Sequence, residues 1–209
     1  RKEVARSASR TADFVLPAGT YAVVARVGSV EARERVTLAP GDVQKRQIAL
    51  QPARVLLSSR FTGTSQPIAD NVSYRIEKID TVPPEITHVS NALATVDLAA
   101  GIYRVESRVG LLNARASRDV TVAAGRATDL VFDHDAGALN LRLAPAIAGD
   151  VHWDVRDNDG RIVWISGQPA PKLVLQAGRY QIRGETRDKR FLRDVEVKSG
   201  ATQTLEFKD

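Results

Sequence analysis

One six-residue pattern occurs three times and constrains the fold more than any other feature of the chain. It reads Leu16-Pro-Ala-Gly-Thr-Tyr21, then Leu98-Ala-Ala-Gly-Ile-Tyr103, then Leu175-Gln-Ala-Gly-Arg-Tyr180. An alternating strand follows each copy, over 22–28, 104–110 and 181–184. Next come a valine strand and a second glycine turn: Val36-Thr-Leu-Ala-Pro-Gly41, Val120-Thr-Val-Ala-Ala-Gly125 and Val195-Glu-Val-Lys-Ser-Gly200. A short closing segment ends each copy, at Gln47–Leu50, Asp129–Phe132 and Thr204–Phe207. Gly19, Gly101 and Gly178 set a period of about 80 residues, too long for a solenoid rung and suited to a small autonomous sandwich.

Within each copy the apolar period is two. Tyr103, Val105 and Ser107 fall on one face and Arg104, Glu106 and Arg108 on the other; Val151, Trp153 and Val155 alternate with His152 and Asp154. This is the pattern of half-buried antiparallel strands, and helical spacing is sustained nowhere. The middle copy predicts seven strands, near 53–59, 71–79, 85–90, 94–98, 102–109, 113–122 and 127–132. The expected fold class is all-β, with tandem seven-stranded immunoglobulin-like or transthyretin-like sandwiches. The expected domains are a truncated first repeat over 1–52, a second over 53–136 and a third over 137–209. The first repeat has a third-strand candidate at Glu3–Ser7 and the later strands, but nothing matches the two opening strands. The chain starts at Arg1 and has no Met, so the missing strands are expected upstream.

The Leu-x-Ala-Gly-x-Tyr element resembles a tyrosine corner, in which a Tyr hydroxyl bonds nearby backbone while the ring fills the core. A structural role is therefore expected for Tyr21, Tyr103 and Tyr180, with Gly19, Gly101 and Gly178 giving the turns their freedom. On these residues the chain resembles the transthyretin-like and carboxypeptidase-regulatory-like modules of bacterial surface and periplasmic proteins, some of them in alphaproteobacterial envelope proteins. The resemblance covers nearly the whole chain. It implies an exported location, periplasm or cell surface, and is nearly mute on activity because such sandwiches host many roles.

Composition narrows the chemistry. Cysteine is absent, which removes disulfides, thiolate metal sites and cysteine nucleophiles. The net charge of +5 is modest. Arg104, Arg108, Arg115 and Arg118 are interspersed with Glu106 and Asp119 rather than gathered on one face, so no nucleic-acid partner is expected. No apolar run approaches the roughly 20 residues of a membrane-spanning helix.

The three histidines, His88, His134 and His152, share no ligand spacing, and no metal or cofactor is expected. His134, in Asp133-His-Asp135, reads as part of a solvated linker, and His152 as outward-facing. Asp157-Asn-Asp-Gly160 fails the calcium-loop template, because Val155 and Ser166 would stand at acidic positions; a type I′ hairpin turn is expected instead. Some related modules carry a Lys–Asn isopeptide bond, but the opening strands Arg54–Ser58 and Leu139–Leu143 contain no lysine. Asp119 and Asp194 read as cross-strand ion-pair partners. No nucleophile-elbow motif or carboxylate pair argues for a catalytic residue. Trp164 is the one candidate ligand contact: in Arg161-Ile-Val-Trp-Ile-Ser166 both strand faces are apolar. The leading expectation is a non-enzymatic spacer or protein-interaction rod whose partner is a protein or envelope component. The alternatives are a carbohydrate- or peptidoglycan-binding module and an accessory domain of a larger enzyme.

Overall fold

The two-residue period becomes sixteen β-strands, with no helix among the described residues. The computed structural model describes residues 3–28, 30–145 and 150–208. Contacts divide the chain into two units, Arg1–Gln51 and Pro52–Asp209.

The first unit contains one antiparallel hairpin, β1 (Gly19–Val27) and β2 (Val30–Leu38), in a register that sets Tyr21 opposite Val36. Two expected strands are not formed: neither Glu3–Ser7 nor Gln47–Leu50 is extended into a ladder. The later copies supply the reason. Their closing strands pair in parallel with their own opening strands, and among the described residues before Ala53 no opening strand offers that ladder. Glu3–Ser7 is exposed throughout and has only Val4 to bury.

The second unit begins with β3 (Ala53–Phe61), β4 (Val72–Lys78), β5 (Glu85–Val89), β6 (Ala94–Leu98), β7 (Gly101–Val109), β8 (Arg115–Val122) and β9 (Ala127–His134). These form a three-stranded sheet, β6-β3-β9, and a four-stranded sheet, β5-β4-β7-β8. Val55, Leu57, Tyr74, Ile76, Val105 and Phe132 are buried in one cluster drawn from both. Then follow β10 (Ala136–Leu143), β11 (His152–Arg156), β12 (Ile162–Ser166), β13 (Lys172–Gln176), β14 (Gly178–Glu185), β15 (Arg190–Val197) and β16 (Thr202–Phe207). The same plan is repeated, as β13-β10-β16 and β12-β11-β14-β15. Its core gathers Leu139, Leu141, Trp153, Leu175, Ile182 and Phe207. Each fully buried side chain of this size contributes about 1.5–3 kcal/mol, so the alternation is enough to fix which face turns inward. The fold is all-β, in tandem sandwich modules.

Local chemistry sets the turns. Asp42 N, Arg126 N and Ala201 N each donate to the carbonyl three residues back, on Ala39, Ala123 and Lys198. Gly41, Gly125 and Gly200 occupy the third position with φ of 82°, 68° and 68°, left-handed values that favour glycine in a type II turn. The Asp157–Gly160 connection departs from the expected type I′ turn. Only Gly160 has positive φ (77°), and Asp157 N donates to Arg161 O at 2.9 Å across a three-residue loop. Asp157 Oδ1 accepts from the N–H groups of Asp159 and Arg161, so the aspartate side chain organises a type I turn with a glycine bulge.

Candidate functional site

The three corner tyrosines make one kind of bond. Each hydroxyl donates to the carbonyl four residues upstream: Tyr21 to Pro17 at 2.6 Å, Tyr103 to Ala99 at 2.9 Å and Tyr180 to Gln176 at 2.9 Å. The surroundings differ. Tyr103 and Tyr180 are buried and Tyr21 is half-buried. Burial, with the nearby charges of Glu85 and Asp80, pushes the Tyr103 hydroxyl up to about 12. Burial also raises that of Tyr180, partly opposed by a hydrogen bond from Asn113. Gly101 and Gly178 have φ of 158° and 152°, whereas Gly19 has no positive φ, so the corner glycines do not share one backbone requirement.

Asn113 was not singled out in the sequence. It belongs to the connection from β7 to β8 in the first sandwich of this unit, whose four-residue tip, 110–113, is closed by Val109 N donating to Ala114 O, and both ends of its amide reach the second. Asn113 Nδ2 donates to Tyr180 Oη at 2.9 Å, and Gln176 N donates to Asn113 Oδ1 at 3.0 Å. The neighbouring Leu112 packs on the core that contains Trp153, while Val174 of β13 packs on the core that contains Tyr74. Gly110 lies so close that an added Cβ would be 3.3 Å from Val174 Cβ. The one sequence signal was length: the matching tip in the first copy has two residues, between Val27 and Val30.

His134 overturns its reading as part of a solvated linker. It ends β9 and is 1% exposed, because Thr62 N pairs with its carbonyl and its ring turns into the core. His134 Nε2 lies 2.9 Å from Ser107 Oγ, which is 2.7 Å from Ser59 Oγ; that oxygen is 3.2 Å from Tyr74 Oη, and Tyr74 donates to Ala92 O. This is a sealed polar chain. Nδ1 of His134 has no hydrogen-bond partner among the described residues. Burial pushes the imidazole below its ordinary value, against a weaker upward pull from Asp133. A serine beside a histidine invites a catalytic reading, but Ser107 and Ser59 are both 0% exposed, so no substrate reaches either oxygen. Ser107 on the inward face of an apolar strand was the legible clue.

His88 and His152 are exposed and far apart in register, on β5 and β11. Among the described residues no three His, Asp or Glu side chains gather as metal ligands. Asp119 pairs with Arg104 across β7 and β8 through two bonds of 2.8 and 2.9 Å, which hold its carboxyl below the usual range. Asp194 departs from the expected ion pair: its register partner is Gln181, whose Nε2 donates to it at 3.2 Å. Asp154, expected to face outward into water, is 9% exposed beneath Arg156 and Arg183, at 2.9 and 3.8 Å. Arg156, Asp157, Arg179, Gln181, Asp194 and Glu196 rim an open hollow of about 540 Å³ in which positive and negative groups alternate. Trp164 sits on edge strand β12 opposite Val155, half-buried against the core that contains Trp153. Ile162 and Ile165 of the same strand are exposed, at 48% and 52%.

The sequence pattern of the Rhizobiales growth-associated tandem repeat domain matches residues 143–208, within the last sandwich. No curated protein matches the chain. Among solved structures, the chain is similar to the Bacillus anthracis TIE protein (12% identity, TM-score 0.34), covering 92% of this chain and 42% of that one. It is similar to the minor pilin of Streptococcus agalactiae (12%, TM-score 0.37), covering 74% and 94%. A streptococcal ancillary pilin is similar as well (12%, TM-score 0.40), covering 91% and 75%. The chain thus spans less than half the length of the first of these.

Proposed function

We propose that the chain is a non-enzymatic spacer or protein-interaction region, built of repeats over 1–52, 53–136 and 137–209, in an exported bacterial envelope protein. The observation that carries this reading is the junction. Two sandwiches of identical strand order are joined through the single residue Asp135 between β9 and β10, and Asp135 O accepts from Ala177 N across the joint at 2.8 Å. So short and bonded a connection transmits position rather than permitting independent capture of a ligand. The inward hydroxyls of Ser59 and Ser107 are spent on each other, on Tyr74 and on His134 Nε2. The partial match to a bacterial tandem repeat agrees with a role in which copies are strung together. Trp164 spends its ring on packing, and the carbohydrate reading gains no support from it.

The test is replacement within the native chain in its own bacterium. Exchanging 53–209 for two unrelated β-sandwich modules of equal length should preserve growth and surface placement, and removing one module without replacement should impair them. Loss of function on equal-length exchange, with export at the normal level, would show that a specific surface matters and would sink the spacer reading.

A further inference from the structure

We propose that the 110–113 tip and the Tyr180 corner form a plug and socket that fixes the angle between the two sandwiches, with Asn113 as the positioning residue. The argument begins with the tip itself. Gly110 N donates to Asn71 O at 2.7 Å and Val109 N to Ala114 O at 3.0 Å, so the tip is braced on its own sandwich before it meets the next. The plug has a shape requirement, because Gly110 holds a left-handed φ of 68° that favours glycine and lies so near Val174 that an added Cβ would press on it at 3.3 Å. It also has a chemical one. Tyr180 Oη already donates to Gln176 O, which leaves an oxygen lone pair for a donor; Gln176 offers a backbone N–H four residues away in sequence. A primary amide supplies one donor and one acceptor on a rigid plane, and Asn113 meets both demands at 2.9 and 3.0 Å. A carboxylate would leave the Tyr180 oxygen without a donor, and an ammonium would leave the Gln176 N–H without an acceptor.

The other copies lack one half or the other. The first copy has Pro17 where the third has Gln176, and proline has no N–H to give. Its own tip is two residues long. The third copy closes its tip with Thr186 N donating to Lys189 O at 2.9 Å, so that tip is also two residues long, Arg187 and Asp188. The pairing of Asn113 with the Gln176–Tyr180 corner is therefore a feature of this one joint. It gives the spacer reading a mechanical content and rests on it for purpose only; the joint itself is measured in solution, independently of any cellular role.

The cysteine-free full chain allows the test by paired nitroxide labels. Labels at Ser117→Cys and Lys172→Cys report the distance between the two sandwiches, and labels at Lys172→Cys and Arg193→Cys report a distance within the second of them. The parent should give one narrow peak for each pair. Asn113→Ala, and replacement of Gly110–Asn113 by the Gly-Ser of the first hairpin, should broaden or shift the first peak and leave the second unchanged. Overlay of both variants on the parent at the first pair overturns the proposal. So does broadening of the second pair, which would mean that the tip supports the fold of the sandwich rather than its orientation.

Discussion

Removing one oxygen at a time from the corners should rank the three copies by what each hydroxyl does. Tyr→Phe keeps the ring and its packing, so the change isolates the hydrogen bonds. At Tyr103 one bond to Ala99 O is lost in a part-buried site, a cost of about 1 kcal/mol. At Tyr180 the hydroxyl both donates to Gln176 O and accepts from Asn113 Nδ2, so two bonds are lost and the cost rises to about 2 kcal/mol. At Tyr21 the ring is half-buried and the bond to Pro17 O is exposed, so water replaces it and the change stays within about 0.5 kcal/mol. Urea unfolding resolves the order, because both tryptophans of the chain, Trp153 and Trp164, lie in the last sandwich and their fluorescence reports it selectively. With a slope of about 2 kcal/mol per molar urea, Tyr180→Phe should lower that midpoint by about 1 M. Tyr103→Phe should act mainly on the transition followed by circular dichroism. An equal shift for Tyr103→Phe and Tyr180→Phe in their respective transitions would refute the additional bond to Asn113.

The buried imidazole of His134 predicts acid sensitivity. Its folded-state value lies below that of the unfolded chain, near 6.5, so its contribution is intact above that pH and is lost as pH falls toward the lowered value. The urea midpoint should drop between pH 7.5 and 5.5, and His134→Gln should flatten the drop; an undiminished slope in the variant would assign the effect elsewhere. Gly184→Ala should destabilise the last sandwich by about 1–3 kcal/mol, because the new Cβ would lie 2.6 Å from Cζ3 of the fully buried Trp153. In a Trp153→Phe background the same change should cost far less, and strict additivity of the two would disprove the clash. Far-ultraviolet circular dichroism of the full chain should show strand without appreciable helix.

The longer strands of the second copy, β3, β4 and β7, were legible because inward and outward positions alternate over seven or more residues, and a half-buried sheet permits one reading of that pattern. Legibility ended where a segment depended on a distant partner. Gln47–Leu50 has the same local pattern as Thr204–Phe207 but forms no strand, since a closing strand exists only against an opening one. His134 misled for a related reason. Its neighbours Asp133 and Asp135 mark a surface in any local window, yet the inward turn of the ring is set by Ser107, which lies 27 positions earlier and faces the core from β7. Asp194 matched Asp119 in sequence context and differed in its partner, because Gln181 stands at the register position that Arg104 holds in the second copy.

The copies also diverge in a pattern that bears on how such chains evolve a shape. Positions that face the cores keep their character: Tyr103 and Tyr180, Val105 and Ile182, and Phe132 and Phe207 recur at matching places and are all buried. Variation gathers at the ends of each sandwich, in tip length and at the second corner position, occupied by Pro17, Ala99 and Gln176 in turn. Core substitutions would cost several kcal/mol each in domains of this size, whereas changes at tips and corners leave the sandwich standing and alter what it meets at its end. Asn113 shows how little is needed. Lengthening a tip by two residues and ending it in an amide lets a sandwich engage the corner of its neighbour through two hydrogen bonds, while the strand order within each sandwich stays the same.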